Sequence, residues 1–305
     1  MAKFQPGLVH TPVTPFTRDH AIDYAAFGKI IEFHLRNGAD ALALPTPEGE
    51  DMSLTDEEQR KVVEFAIAQV KGRVPVIAHV SDAGTAIAVA RARHAEKAGA
   101  AAIVSHPPYF WHPKPSMILE HLVEIGSAVK VPFFAYNPPV ESVGTHMSTE
   151  LTLQLIDRLE NFAGVVDANM DWVYMVEVIS GGQQKRPGLQ LMPATDYMVC
   201  ASVIGGFGAF SSLASVAPRL VRQVYDLCAK EDYIRARKGQ EDLAALRQIV
   251  MKPRLETGLK GALRALGRDC GQPRPPSKAL GEPEYGTLAE SLDAMKFLGA
   301  EPRGW

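Results

Sequence analysis

The stretch NFAGVVDANMDW, residues 161–172, decides how this chain is read. Phe162, Ala163, Gly164, Val165 and Val166 form a short apolar run that ends at Asp167. A run this short and this continuously apolar predicts a strand buried on both faces, as parallel strands are, delivering its last residues to a loop.

Working outward, the same unit recurs on both sides. LVHTPVTPF (8–16) opens the chain as a strand and loop, and residues 24–37 place Phe27, Ile30, Ile31 and His34 at helical spacing with Gly38 as a C-cap. ADALALPT (39–46) is a second strand. The helix 54–70 follows, with Thr55 as N-cap, Glu58 as its capping-box partner, and Val62, Val63, Ala66, Ile67 and Val70 as its stripe. VPVIAHVS (74–81), an alanine-rich helix ending near Gly99, AAIVSHP (101–107), a helix over 116–129 and VPFFAYN (131–137) continue the alternation. Ser148 caps a helix over 149–159 that returns to the opening strand. Beyond it the pattern predicts a helix over 172–179, a polar loop GGQQKRPG (181–188), the strand LQLMPAT (189–195), a short helix, and the strand FGAFSS (207–212).

Eight strands alternating with helices predict a (β/α)8 TIM barrel occupying residues 1–216. An open doubly wound sheet would need a topological switch point and usually a glycine-rich phosphate turn after the first strand, and HTPVTPF offers neither. From residue 217 the pattern is purely helical, over 217–229, 233–250 and 255–266. An ordered Pro/Gly-rich crossing at 271–283 and a last helix over 288–298 complete an appended C-terminal layer, 217–305, packed on the barrel.

The totals exclude more than they assign. At 46% hydrophobic and 22% charged, the composition is that of a globular enzyme with a sizeable core, and a net charge of -3 gives no footprint for nucleic acid. Cys200, Cys228 and Cys270 are odd in number and widely spaced, which argues against a disulfide framework and for a reducing cytoplasm. No signal-peptide core and no run of ~18 apolar residues is present, so secretion and membrane insertion are disfavoured.

In such a barrel the chemistry lies at the C-terminal ends of the strands, which leaves 46–50, 79–82, 106–112, 136–141, 166–169, 195–196 and 211–212 as candidates. His79 ends a strand, where an imidazole can shuttle protons, and Asp167 is either a general base or a helix cap. His106, Asp167, His79 and Glu50 would be a metal-ligand set only if four separate strands brought them together. They have no local ligand spacing, so neither a metal nor a cofactor is expected.

These residues also carry a resemblance. TPVTPF, the spacing from Gly49-Glu50 to LTDEE (54–58), the PYF turn with Pro113, AYNPP (135–139), FAGVVD, FGAFSS, and the tail residues Lys260-Gly261-Ala262-Leu263, Leu266-Gly267 and Arg274-Pro275-Pro276 occur in the right order. In these features the chain resembles the dihydrodipicolinate synthase and N-acetylneuraminate lyase family. The resemblance implies a homotetrameric barrel acting on pyruvate or a related 2-keto acid. In that family a strand-six lysine forms a Schiff base, a strand-five tyrosine relays protons, and a TTGE-like turn binds the substrate carboxylate. Tyr136 matches the tyrosine, and Gly49 and Glu50 match the end of the turn. Val166 falls where the lysine would be, Pro47 and Glu48 replace two threonines, Phe110 falls at a second tyrosine, and Glu141 at an arginine for the second substrate.

Magnitudes make these departures serious. Valine has no lone pair, so no imine forms at that position. Pro47 lacks an N–H, and losing one anion-stabilising donor costs roughly 3 kcal/mol. An inward Glu48 would add about 4 kcal/mol of repulsion toward a carboxylate ~4 Å away at an effective dielectric of 20. The reading is therefore a lyase-type or hydratase-type protein without a lysine imine, with a non-catalytic ligand-binding protein as the alternative. Tyr136, His79 and Asp167 are its expected catalytic residues, and Thr46, Glu48, Gly49, Glu50, Asn137 and Ser211 its expected ligand-binding residues. The expected partners are a small molecule, with a 2-keto acid as candidate, and further copies of the chain.

Overall fold

The computed structural model describes residues 4–139, 145 and 147–305. Its eight strands are β1 (Leu8–His10), β2 (Ala41–Leu44), β3 (Val76–His79), β4 (Ala102–Ser105), β5 (Phe133–Asn137), β6 (Phe162–Asp167), β7 (Gln190–Pro193) and β8 (Ala209–Ser211). Every pairing is parallel, in the order β7-β6-β5-β4-β3-β2-β1-β8, and β8 packs back against β7 to bring the sheet round into a (β/α)8 barrel. Helices α1 (Tyr24–Arg36), α2 (Asp56–Val70), α3 (Thr85–Ala98), α4 (Pro115–Ser127), α5 (Thr149–Arg158), α6 (Trp172–Lys185) and α7 (Met198–Val203) lie between the strands. The C-terminal layer is α8 (Pro218–Ala229), α9 (Tyr233–Val250), α10 (Leu255–Ala265) and α11 (Glu282–Asp293).

The pleat decides which strand residues see the barrel interior. Val9, Ala43, Ile77, Val104, Phe134, Tyr136, Val166, Met192 and Phe210 form one buried cluster there, while the alternate residues meet the helices in two larger clusters. Gly164 in β6 is required by a close approach: with φ 155, a Cβ on it would lie 2.0 Å from the Gln190 carbonyl oxygen of β7. The core is shared between barrel and C-terminal layer, since Leu8, Phe27 and Val62 belong to the same cluster as Val221, Leu246 and Leu263.

Helix starts follow the expected caps. The Thr55 Oγ1 accepts from the Glu58 N–H at 3.2 Å, Glu58 accepts from the Thr55 N–H at 2.9 Å, and the Ser148 hydroxyl accepts from the Leu151 N–H at 3.2 Å. Two expectations are corrected. Residues 181–185 of the expected polar loop continue α6 to Lys185, because Gly182 sits where a side chain would strike Leu189 and Lys185 ends the helix in a pair with Asp157. The last helix runs over Glu282–Asp293 rather than 288–298, started by a Glu284 cap and Pro283 in its first turn, and residues 296–300 are a 3-10 turn. No helix among the described residues is long and apolar enough to cross a membrane, and the three cysteines are free thiols.

Candidate active site

A cavity of about 940 Å³ opens at the C-terminal ends of the strands. Pro47, Glu48, Glu50 and Asp51 from the turn after β2 form one side, and His106, Tyr109 and Trp111 from the loop after β4 another. Tyr136, Ala168, Ala194 and Thr195 form the base, and Arg247, Arg254 and Glu256 of the C-terminal layer close it from above. The appended helices are therefore a wall of the site.

Two imidazoles and a phenol meet at its base. The ring centroids of His106 and Tyr136 are 4.4 Å apart, and those of His79 and His106 are 4.7 Å apart. His79 lies one layer behind the cavity wall, its Nε2 3.0 Å from the Ser81 hydroxyl and its Nδ1 3.4 Å from an oxygen of Asp51. Burial, then the neighbouring His106 and Arg91, holds His79 neutral, and burial pulls His106 down to about 3. The His106 Nε2 has no hydrogen-bond partner among the described residues. Burial, reinforced by Glu48, pushes the Tyr136 hydroxyl well above its ordinary value, so it remains a donor.

The carboxylates differ by environment. Glu50, in a left-handed conformation at φ 58, is paired at 2.6 Å with the buried Lys260 and accepts from the Arg274 N–H at 2.8 Å. Lys260 and Arg274 both stack on the Phe16 ring, at 4.2 and 4.4 Å, and Arg274 also grips Glu58 at 2.5 Å. The tail motif thereby ties the turn after β2 to α2 and α10. Asp51 has no such cation. Burial and the charge of Glu48 lift it to about 7, although its own and Met52's backbone N–H groups and Arg91 pull the other way. Glu48, also buried, is raised chiefly by burial and further by Asp196.

Of the expected site residues, the structure brings Tyr136, Glu48 and Glu50 onto the cavity, with His79 behind it. Thr46 is buried at the start of the turn, and the Gly49 N–H closes that turn by donating to the Thr46 carbonyl at 2.8 Å. Val166 is fully buried inside the barrel, one step below Ala168 on the same face. Asp167, Asn137 and Ser211 do not reach the cavity, because each neighbours an inward residue and so must point outward. Asp167 accepts from the Asn137 amide at 2.7 Å and from the Met170 N–H at 2.9 Å, and burial lifts it to about 6. Asn137 in turn accepts from the Met147 N–H at 3.0 Å. Ser211 donates to Asp196 and accepts from the Ala214 N–H at 3.1 Å. These three fasten loops to strand ends. The expected contribution of Glu141 lies outside the described residues.

Asp51 and Arg247 line the cavity and lie outside the strand-end candidates. Asp51 follows Glu48 and Glu50 in an acidic turn, which reads as solvated charge. Arg247 lies on α9 beside Leu243, Leu246 and Val250, the buried residues of that helix, far in sequence from any strand end. Among the described residues, no lysine lines the cavity.

The dihydrodipicolinate synthetase family model matches residues 5–295. The chain is 31% identical over 297 residues to the 4-hydroxy-tetrahydrodipicolinate synthase of Bartonella tribocorum, covering 96% of this chain and 99% of that protein. It is 34% identical over 288 residues to the enzyme of that name from Methylobacterium radiotolerans, covering 94% of each. Among solved structures, the dihydrodipicolinate synthase of Aquifex aeolicus superposes with a TM-score of 0.90 at 26% identity, over 96% of this chain and 99% of that one.

Proposed function

The chain belongs to the dihydrodipicolinate synthetase family, and on that premise we propose that it is a lyase-type or hydratase-type enzyme that works by proton transfer, without a lysine imine, on a small keto or hydroxy acid. The observation that carries the reading is Val166: it points into the barrel beside Tyr136, in the strand where the resemblance expects the imine-forming lysine. Lys260, the buried lysine nearest the site, is held by Glu50 and Phe16.

The remaining groups suit acid/base chemistry. Asp51, lifted to about 7, exchanges a proton near neutrality, and the neutral His79 lies behind it, its Nδ1 3.4 Å from the carboxyl. Tyr136, which keeps its proton, is placed to donate to an oxygen that leaves or gains charge, with the unpaired, buried Nε2 of His106 beside its ring. In this scheme Asp51 takes a proton from carbon next to a carbonyl or carboxylate, and the Tyr136 side gives one to the departing oxygen. A cytoplasmic homo-oligomer is part of the proposal, supported by Phe110, an aromatic that is 97% exposed at φ 81 on the loop after β4.

Borohydride reduction in the presence of pyruvate and longer 2-oxo acids, followed by intact mass and peptide mapping, tests it. No reduced adduct is expected, and an adduct on any lysine overturns the imine-free reading. Saturable binding without turnover of any hydroxy or oxo acid would instead make the chain a ligand-binding protein on an enzyme scaffold.

A further inference from the structure

Arg247 is a half-buried arginine on the apolar stripe of α9, between Leu243 and Val250, and it faces the cavity. Its guanidinium makes no hydrogen bond or ion pair with any described residue, although it lies close enough to Glu48, Asp196 and Tyr136 to feel their charges. The other cations near the mouth are committed: Arg254 to Glu256 at 2.8 Å and Lys260 to Glu50 at 2.6 Å. A guanidinium presents a rigid fork of donors matched to a carboxylate, and partial burial strengthens that match. Ala168, Ala194 and Pro138 give the cavity lining an apolar patch beside Tyr136 and Thr195. On the β2 side, Pro47 offers no N–H and Glu48 offers a carboxyl, which is the wrong chemistry for an anion.

We infer that Arg247 anchors the carboxylate of the ligand, so that a small monocarboxylic 2-oxo or 2-hydroxy acid sits with its carboxylate toward α9 and its alkyl end on Ala168 and Ala194. Its oxygen at carbon 2 then falls between the two anchors, within the region held by Tyr136, His106 and Thr195. The C-terminal layer selects the acid, and the small residues at the strand ends measure its chain length. The inference rests on the mouth being a small-molecule site, as proposed above, and holds whether or not the bound acid is turned over.

Titration calorimetry with 2-oxo acids from pyruvate to 2-oxohexanoate, each beside its primary amide, tests this without reference to activity. The native protein is expected to prefer each acid over its amide by roughly 10- to 100-fold, the range of a charge-assisted hydrogen bond. Arg247→Gln should abolish the preference and Arg247→Lys should restore part of it. Arg247 is half-buried and its guanidinium pairs with no described residue, so melting curves should stay close to the native protein's. Ala194→Val should weaken 2-oxohexanoate far more than pyruvate. Retention of the acid preference in Arg247→Gln, an Ala194→Val effect independent of chain length, or binding of none of the acids overturns the assignment. An imine adduct found by borohydride would overturn the proposed reaction yet leave the Arg247 result to be read separately.

Discussion

Tyr136 and Val166 are register partners across β5 and β6, and both project into the barrel interior. A lysine at 166 would rise toward the phenol from the layer below Ala168, so the scaffold retains the track for an imine-forming amine. Val166→Lys should therefore yield a borohydride-trapped pyruvate adduct at residue 166, readable by peptide mapping, where the native protein yields none. Overpacking a fully buried site should cost roughly 1–3 kcal/mol in denaturant unfolding.

Removing the Tyr136 hydroxyl tests its chemical role apart from its packing. The ring is buried against His106, so Tyr136→Phe keeps the stacking and loses only the donor. Turnover of whichever acid proves to be the substrate should fall by roughly 10²–10⁴-fold, with the melting temperature nearly unchanged. Equal activity in the variant would remove Tyr136 from the mechanism.

Asp51 carries the clearest pH signature. Its carboxyl is raised to about 7 by burial and the neighbouring Glu48 charge, against an ordinary 3.8. Between those values the folded state holds a proton that the unfolded chain has released. Stability thus declines as pH rises through this window, and the full penalty is present above about 7. Asp51→Asn should accordingly gain stability relative to the native protein at pH 8 but not at pH 4, by on the order of 1–3 kcal/mol. The buried histidines, His34 and His106 lowered to about 3 and His121 to about 4, act oppositely by favouring the folded state as pH rises toward 6.5, but they are common to both proteins and cancel. A kinetic limb near neutral pH that vanishes in Asp51→Asn would identify the same group in turnover.

The Glu50–Lys260 pair is buried on both sides and links the turn after β2 to α10. Lys260→Met leaves a buried carboxylate whose remaining partner is the Arg274 N–H, and should cost roughly 3–5 kcal/mol in chemical denaturation. Adding Glu50→Gln should recover much of that loss. A double variant as unstable as the sum of the two single changes would show that the pair is not coupled.

Much of this protein is written in short-range signals. The apolar runs, the Thr55–Glu58 capping box, Ser148 and the β/α alternation specify eight parallel strands and the helices between them, because each depends on residues a few positions apart. The boundaries that differ, the end of α6 and the start of α11, turn on packing of Gly182 against Leu189 and on a first-turn proline. The vacancy at Val166 was equally legible, since strand position and the flanking residues place it without coordinates.

What the linear pattern left open was which neighbours share a space. Pleat parity alone turns Asp167, Asn137 and Ser211 away from the cavity, and that parity follows from the inward placement of Tyr136, Val166 and Phe210, which only the closed barrel establishes. Asp51 becomes a neutral-range acid because folding buries it beside Glu48, and Arg247 becomes a cavity wall because α9 folds back over strand ends more than fifty residues away in sequence. The sequence by itself determined the frame and the missing amine, through local periodicity and side-chain chemistry. Only the tertiary structure decided which charges meet, because burial and electrostatic coupling depend on distance through space.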